Sequence, residues 1–170
     1  MEIVSARIPA DLPAITQLFR AYAASLPIDL GYQGFDGELA SLPGKYAPPQ
    51  GALLIARDAN GAALGCVAMR PLPSPQSGKG VARSATGGAP GICEMKRLYV
   101  TPEGRGRGLG RDLALAIIEA ARAAGHREMR LDTLAHMTRA QALYRALGFV
   151  EIAPYYDSPI EDTVFMGLML

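Results

Sequence analysis

The segment that most narrows what this chain can fold into is Thr101-Pro-Glu-Gly-Arg-Gly-Arg-Gly-Leu-Gly-Arg111. Before it runs ICEMKRLYV (92–100), which reads as a strand. After it an amphipathic helical pattern extends from about 109 to 124, where Gly125 stops it. A strand that passes through a glycine turn into a helix leaves the first helical amides unpaired, with the positive end of the dipole behind them. Gly104, Gly106, Gly108 and Gly110 let a ligand approach that backbone closely, and Arg105, Arg107 and Arg111 add fixed charge. Such a nest suits a phosphate or pyrophosphate. Leu113, Ile117, Ala120, Ala121 and Ala124 share one side of the helix, the side to lay on a sheet.

Other phosphate-binding patterns fail on spacing. No Gly-Lys-Ser/Thr occurs, which removes GxxxxGK[ST], and the third glycine of a GxGxxG begun at Gly106 would fall on Arg111. An arginine–glycine RNA tail does not fit, because apolar, structured sequence flanks the segment. With 17 Lys+Arg against 16 Asp+Glu the formal charge is +1, so no global field captures nucleic acid or an anionic membrane. No apolar run approaches the ~18–20 residues that span a bilayer, and the start, MEIVSARIPADL, lacks a secretory pattern. Cys66 and Cys93 lie in apolar segments, and His126 and His136 have no partner at metal spacing. Neither a disulfide scaffold nor a metal is therefore expected. With 49% apolar residues and 170 in all, the chain reads as one cytoplasmic domain over 1–170.

The rest of the chain alternates in period. Residues 2–8 read as a strand and 10–24 as a helix, with Asp11 as its cap, Pro13 in its first turn and Ile15, Leu18, Phe19 and Tyr22 as its buried stripe. Proline and glycine break up 25–50, leaving a short helix near 35–41. Two strands, 52–57 and 62–70, flank Asn60-Gly61 as a hairpin. The stretch 71–91, almost all Pro, Gly, Ser and small residues, reads as a mobile connection. A strand at 127–133, a helix at 139–147 and a strand-like VFMGLML at the end complete an α/β pattern with a mixed sheet.

Three segments then stand in a telling order: LYV-x-P (Leu98, Tyr99, Val100, Pro102), Arg-x-x-Gly-x-Gly (Arg105, Gly108, Gly110), and, one strand later, ALYRALGF with Tyr144. With them the chain resembles the GNAT N-acetyltransferase superfamily, which uses that turn to hold the pyrophosphate of acetyl-coenzyme A. The resemblance implies a mixed, mostly antiparallel central sheet flanked by helices, with strands 4 (92–100) and 5 (127–133) splayed to hold acetyl-CoA. It implies acetyl-CoA as cosubstrate, no metal, and binding by Leu98, Val100, Arg105, Gly106, Arg107, Gly108, Gly110, Arg111 and Tyr144, with Arg107 and Arg111 the favoured charge contacts. Arg97, on the preceding strand, is equally a surface or a paired residue.

Acetyl transfer to an amine needs a deprotonated nitrogen, and a lysine-like amine has a pKa near ~10.4. It also needs an N–H for the developing oxyanion and a proton donor for the departing thiolate. The resemblance places Tyr144 as that donor; without it, a tyrosine beside Leu143 and Leu147 would be read as packing. It places the Leu98 amide as the oxyanion donor, and backbone groups of Leu98 and Val100 along the pantetheine arm. Alternation along ICEMKRLYV mixes polar and apolar residues on both faces, so the splay is not visible in the sequence. For the base, Glu94 is the first candidate and Asp132 the second; either can instead pair with Lys96, Arg97 or Arg130, and a water chain is a further route. The family's usual Asn seven residues before the tyrosine is Met137 here, with Thr138 as the substitute cap.

In this superfamily the acceptor side is built by the segments that here read SLPIDLGYQGFDGEL (25–39) and APYYDSPIED (153–162). They imply a small-molecule or peptide amine, bounded by Tyr22, Tyr32, Phe35, Tyr155 and Tyr156 and attracted by Asp29, Asp36, Asp157 and Glu161. No nucleic acid or membrane partner is expected, and family habit allows a homodimer. Neither cysteine has a histidine placed to activate it, so direct attack in a ternary complex is expected rather than an acetyl-cysteine. The competing expectation is a non-catalytic acyl-CoA-binding or sensing module of the same fold, and Tyr144 separates the two.

Overall fold

Among the described residues seven strands pair in the order β1-β2-β3-β4-β5-β7-β6. They are β1 (Glu2–Ser5), β2 (Ala52–Arg57), β3 (Ala63–Pro71), β4 (Ile92–Val100), β5 (Glu128–Leu134), β6 (Val150–Glu151) and β7 (Thr163–Met169). Only β4 and β5 run parallel; every other pair is antiparallel. The helices are α1 (Leu12–Ala24), α2 (Phe35–Ala40), α3 (Leu109–Ala123) and α4 (Thr138–Ala146). The computed structural model describes residues 1–73 and 91–170. Most of the predicted mobile connection, 74–90, therefore lies outside the described residues. Its first residue, Pro71, still belongs to β3, and the Leu72 amide bonds the Ile92 carbonyl at 2.8 Å.

Period-two alternation builds two cores, one on each face of the sheet. On one face Leu54, Val67, Met69, Cys93, Met95, Met129 and Leu131 meet Leu109, Leu113, Ile117 and Ala121 of α3. On the other, Leu53, Ile55, Cys66 and Ala68 meet Ile15, Leu18 and Phe19 of α1 together with Tyr46. Each fully buried Leu or Ile contributes roughly 1.5–3 kcal/mol, so α3 is held chiefly by its sheet-facing stripe. Ala120 and Ala124, expected on that stripe, lie half-buried at its edge. Asp11 stands at the N-cap position of α1 but does not cap it. Its carboxylate accepts instead from the Arg7 amide and the Arg57 guanidinium, each at 2.7 Å. That local ring ends β1 at Ser5, short of the expected residue 8.

The phase of alternation changes inside β4. Cys93 and Met95 belong to the α3 core, and so do Leu98 and Val100, whereas Tyr99 packs on the α1 side. The register steps from Ala68↔Lys96 to Cys66↔Tyr99, leaving Arg97 and Leu98 together opposite Val67, and Arg97 has φ +59. This is a β-bulge, which adds a residue and bends its strand. It explains why ICEMKRLYV reads as mixed: the pattern is clean on each side of residue 97 and reverses there. Pairing of β4 with β5 ends at Glu94↔Arg130, while β5 stays on β7 as far as Leu134↔Thr163. Beyond Glu94 the two parallel strands part, which is the predicted splay.

Candidate active site

The glycine turn opens one end of the gap. Gly106 and Gly108 have φ of +75 and +74, a conformation that L side chains rarely adopt, and a Cβ built on either meets no atom within 4 Å. The α3 ladder begins with the Arg111 amide on the Gly108 carbonyl at 2.9 Å, so the amides just before Arg111 have no intrahelical acceptor. A cavity of about 870 Å³ lies in front of them, with Arg105, Gly106, Gly108, Gly110 and Arg111 on one wall. Arg107 is exposed and is not part of that lining. Arg105 also donates from Nε to the Val100 carbonyl at 3.3 Å, so that carbonyl already has one partner. The opposite wall brings His136 and Arg139, which sequence reasoning missed. A signal existed: Arg139 lies in the first turn of α4, where a cation opposes the helix dipole unless an anion is held nearby.

A second cavity, of about 100 Å³, fills the splay and shares Met137 and Ala140 with the first. Leu98 and Tyr144 both line it. Tyr144 is buried, its ring edge-on to Phe149 with centroids 5.7 Å apart. Burial, and then the charges of Tyr22 and Asp132, push its pKa above the ordinary phenol value. It therefore stays protonated through the neutral range. Thr138 does not cap α4 as expected; it is the first helical residue, and Met137 occupies the cap position. The Met137 sulfur accepts from the Thr133 hydroxyl at 3.7 Å. Gln141 reaches back to the Leu134 and Ala135 carbonyls at 2.9 and 3.0 Å, tying the helix to the end of β5.

The bulge is held by long-range contacts. A residue other than glycine in the left-handed region costs ~1–2 kcal/mol. Arg97 recovers this through Glu38, with Nη2–Oε2 at 2.6 Å and Nε–Oε1 at 3.1 Å, and through Gln33 at 3.0 Å. The rings of Tyr22 and Phe35 lie 5.7 and 5.3 Å from its guanidinium carbon. Burial alone would raise the Glu38 pKa; the Arg97 hydrogen bonds and charge, with Tyr46 and Lys45, outweigh it and hold the carboxyl below its usual range. Arg97 is thus a buried, paired residue rather than surface charge.

Both base candidates are engaged. Glu94 is fully buried, accepting from Arg70 Nε at 2.6 Å and the Tyr155 hydroxyl at 2.8 Å, with Lys96 Nζ at 3.8 Å. Asp132 accepts from Lys96 Nζ and the Tyr156 hydroxyl, each at 3.0 Å. Burial would raise its pKa, but the Lys96 charge and these two bonds hold it below the usual carboxylate range. A third cavity, of about 350 Å³, shares Tyr32, Gln33 and Lys96 with the splay and is also lined by Lys45, Arg70, Glu94, Tyr156 and Asp157. Of the four carboxylates expected on the acceptor side only Asp157 lines it; the Asp29 carboxylate turns to the Gly31 amide instead. Lys45 and Arg70 were not foreseen, since nothing in their spacing links them to β4. Burial pushes the Cys66 thiol up, and the Cys93 thiol up to about 12, leaving both as inert thiols. Among the described residues no cluster of three or more His, Cys, Asp or Glu could hold a metal ion, and no helix is long and apolar enough to cross a membrane.

The class is defined by a sheet parted between two parallel strands with an anion-receptive turn at one end of the gap. The sequence profile described as the Acetyltransferase (GNAT) family matches residues 15–149. An uncharacterized N-acetyltransferase of Schizosaccharomyces pombe is 41% identical over 168 residues, covering 99% of this chain and 94% of the relative. Aminoglycoside N(6')-acetyltransferase type 1 of Stenotrophomonas maltophilia is 31% identical over 158 residues, covering 91% of this chain and 98% of the relative. A Salmonella typhimurium acetyltransferase structure, solved with its cofactor acetyl-CoA, shares the fold with a TM-score of 0.68 at 21% identity, covering 99% of this chain and 93% of that one. The chain belongs to the GNAT acetyltransferase family, and its enzyme class is the N-acetyltransferases.

Proposed function

We propose that this enzyme moves the acetyl group of acetyl-CoA to the amine of a small molecule or peptide by direct attack in a ternary complex. The observation that carries this is the run of cavities with shared walls, from the α3 amides past Tyr144 to Glu94. The turn fits a diphosphate. Gly106 and Gly108 leave open space where any side chain would project, and Arg105, Arg111 and Arg139 supply cations around it. The bound coenzyme supplies a thioester carbon: an N–C bond forms as the C–S bond breaks, one proton leaves the amine and one reaches sulfur.

The chain's own groups meet each need. Leu98, within the bulge, presents its amide to the developing oxyanion. Tyr144 keeps its proton at neutral pH and directs it toward the sulfur side of the splay. Glu94, fixed by Arg70 and Tyr155, receives the amine proton by way of solvent. Asp132, held in the same way by Lys96 and Tyr156, is the second candidate for that role. The buried, high-pKa thiols of Cys66 and Cys93 favour direct attack over an acetyl-cysteine.

Gly108→Val tests the reading. Valine at φ +74 places a branched side chain in the open space before the amides, and calorimetry is expected to show acetyl-CoA affinity weakened at least about tenfold. Arg111→Gln leaves the backbone alone and should weaken binding severalfold. Parental affinity in both variants would put the diphosphate elsewhere.

A further inference from the structure

The acceptor side gathers several charged groups whose pairing is uneven. Around it, among the described residues, stand the buried carboxylates Glu38 and Glu94, the partly buried Asp132, the exposed Asp157 and the cations Lys45, Arg70, Lys96 and Arg97. Three pairs close well. Glu94 takes Arg70 at 2.6 Å, Asp132 takes Lys96 at 3.0 Å, and Glu38 takes Arg97 at 2.6 Å. Lys45 is left over. Its Nζ lies 3.6 Å from a Glu38 oxygen already bonded to Arg97, and 5.4 Å from the Tyr46 ring centre.

Lys45 and Arg70 both line the 350 Å³ cavity. Burial, and repulsion from Arg70, Arg97 and Lys96, lower the Lys45 pKa against the pull of Glu38. A loosely paired ammonium at the cavity wall, with Arg70 and Lys96 on the same wall, gains from a bound anion. Neither carboxylate of the cavity wall pairs with Lys45: Glu94 is turned to Arg70 and Tyr155, and the one ion pair of Lys45 among the described residues is with Glu38. Because the cavity shares Lys96, Tyr32 and Gln33 with the splay, a small molecule anchored at Lys45 extends toward Tyr144.

We infer that Lys45, with Arg70 beside it, receives a carboxylate of the acceptor, so that the substrates are amino acids or other small amines bearing an acid group rather than polycationic amines. This rests on the acetyl transfer proposed above. It also reverses the expectation that carboxylates attract the acceptor, since a polycation entering this cavity meets like charge.

The test is thiol release from acetyl-CoA with a panel of α-amino acids, their amides, polyamines and aminoglycosides. The amides keep the amine and lose only the carboxylate. Amino acids are expected to turn over, with kcat/KM for the matching amides lower by about tenfold or more. Lys45→Met should raise KM for the acids about tenfold and narrow the acid–amide gap, and Lys45→Arg should restore most of it. Calorimetry with acetyl-CoA checks that each variant is folded. Amides or polyamines used as well as acids, no acid acceptor in the panel, or a parental KM in Lys45→Met would overturn the assignment and leave acetyl-CoA binding standing. Failure of the parent to bind acetyl-CoA would overturn both readings.

Discussion

Tyr144→Phe is expected to lower kcat about 10²-fold, within the range for loss of a positioned proton donor, while leaving acetyl-CoA affinity within twofold. The ring stays edge-on to Phe149 in the phenylalanine variant, so packing is preserved and the hydroxyl is the only loss. A second consideration limits the size of the effect. A thiol of ordinary pKa near ~8.5 is a stronger acid than an ordinary phenol near ~10, and burial raises Tyr144 further. Complete proton transfer to a thiolate is therefore uphill, and much of the effect is a hydrogen bond to developing charge, worth roughly 1.5–3 kcal/mol. The raised pKa has a sign that pH profiles can check: the protonated form is the active one, so Tyr144 should add no descending limb to kcat below pH ~10. Steady-state kinetics of parent and variant with the same acceptor decide the matter. Equal kcat values would remove Tyr144 from the chemistry and return it to packing.

Glu38→Gln is expected to be the most destabilising of these changes, by about 3–5 kcal/mol, because it leaves the buried Arg97 without its counter-charge. For a chain of this size that corresponds to roughly 6–20 °C in Tm. The carboxylate is the partner of a residue held at positive φ, so its loss acts on the bulge as well as on the ion pair. Linkage gives a further check. The Glu38 pKa is lower folded than unfolded, so its contribution is present above the ordinary glutamate range near ~4.3 and is lost as pH falls through the folded value. Thermal melts should show the parent losing stability below about pH 4, with a flatter profile in Glu38→Gln. A Tm within 2 °C of the parent would mean that the pair contributes little and that packing alone holds the bulge.

Both experiments concern groups that differ in how visible they are beforehand. Tyr144 stands in a local segment, ALYRALGF, and its place relative to LYV-x-P and the glycine turn is a matter of order along the chain. The turn was legible for the same reason. Phosphate binding by a helix start depends on neighbouring residues, and Gly106 and Gly108 lie within it at the positive φ that their identity permits. The helices and most strands followed from periodicity, with errors where a distant partner intervened. Asp11 was read as a cap because its position is right; Arg57, 46 residues away, and Arg7 claim its side chain instead. The two-residue β6 was too short to show any period.

The sequence by itself determined the alternating architecture, the anion-receptive turn and the family, since each is carried by residues close together in the chain, where spacing fixes geometry. Only the tertiary structure decided where the sheet parts and which charged groups line the cavity beside Glu94. Those depend on Arg97 meeting Glu38 across 59 residues, on Arg70 meeting Glu94 across the β3–β4 pairing, and on Lys45 reaching only a Glu38 oxygen already bonded to Arg97. Spacing along a chain carries no record of such pairings. They are settled by which side chains the folded sheet shields from water, where a charge must find its opposite or wait for a ligand to bring one.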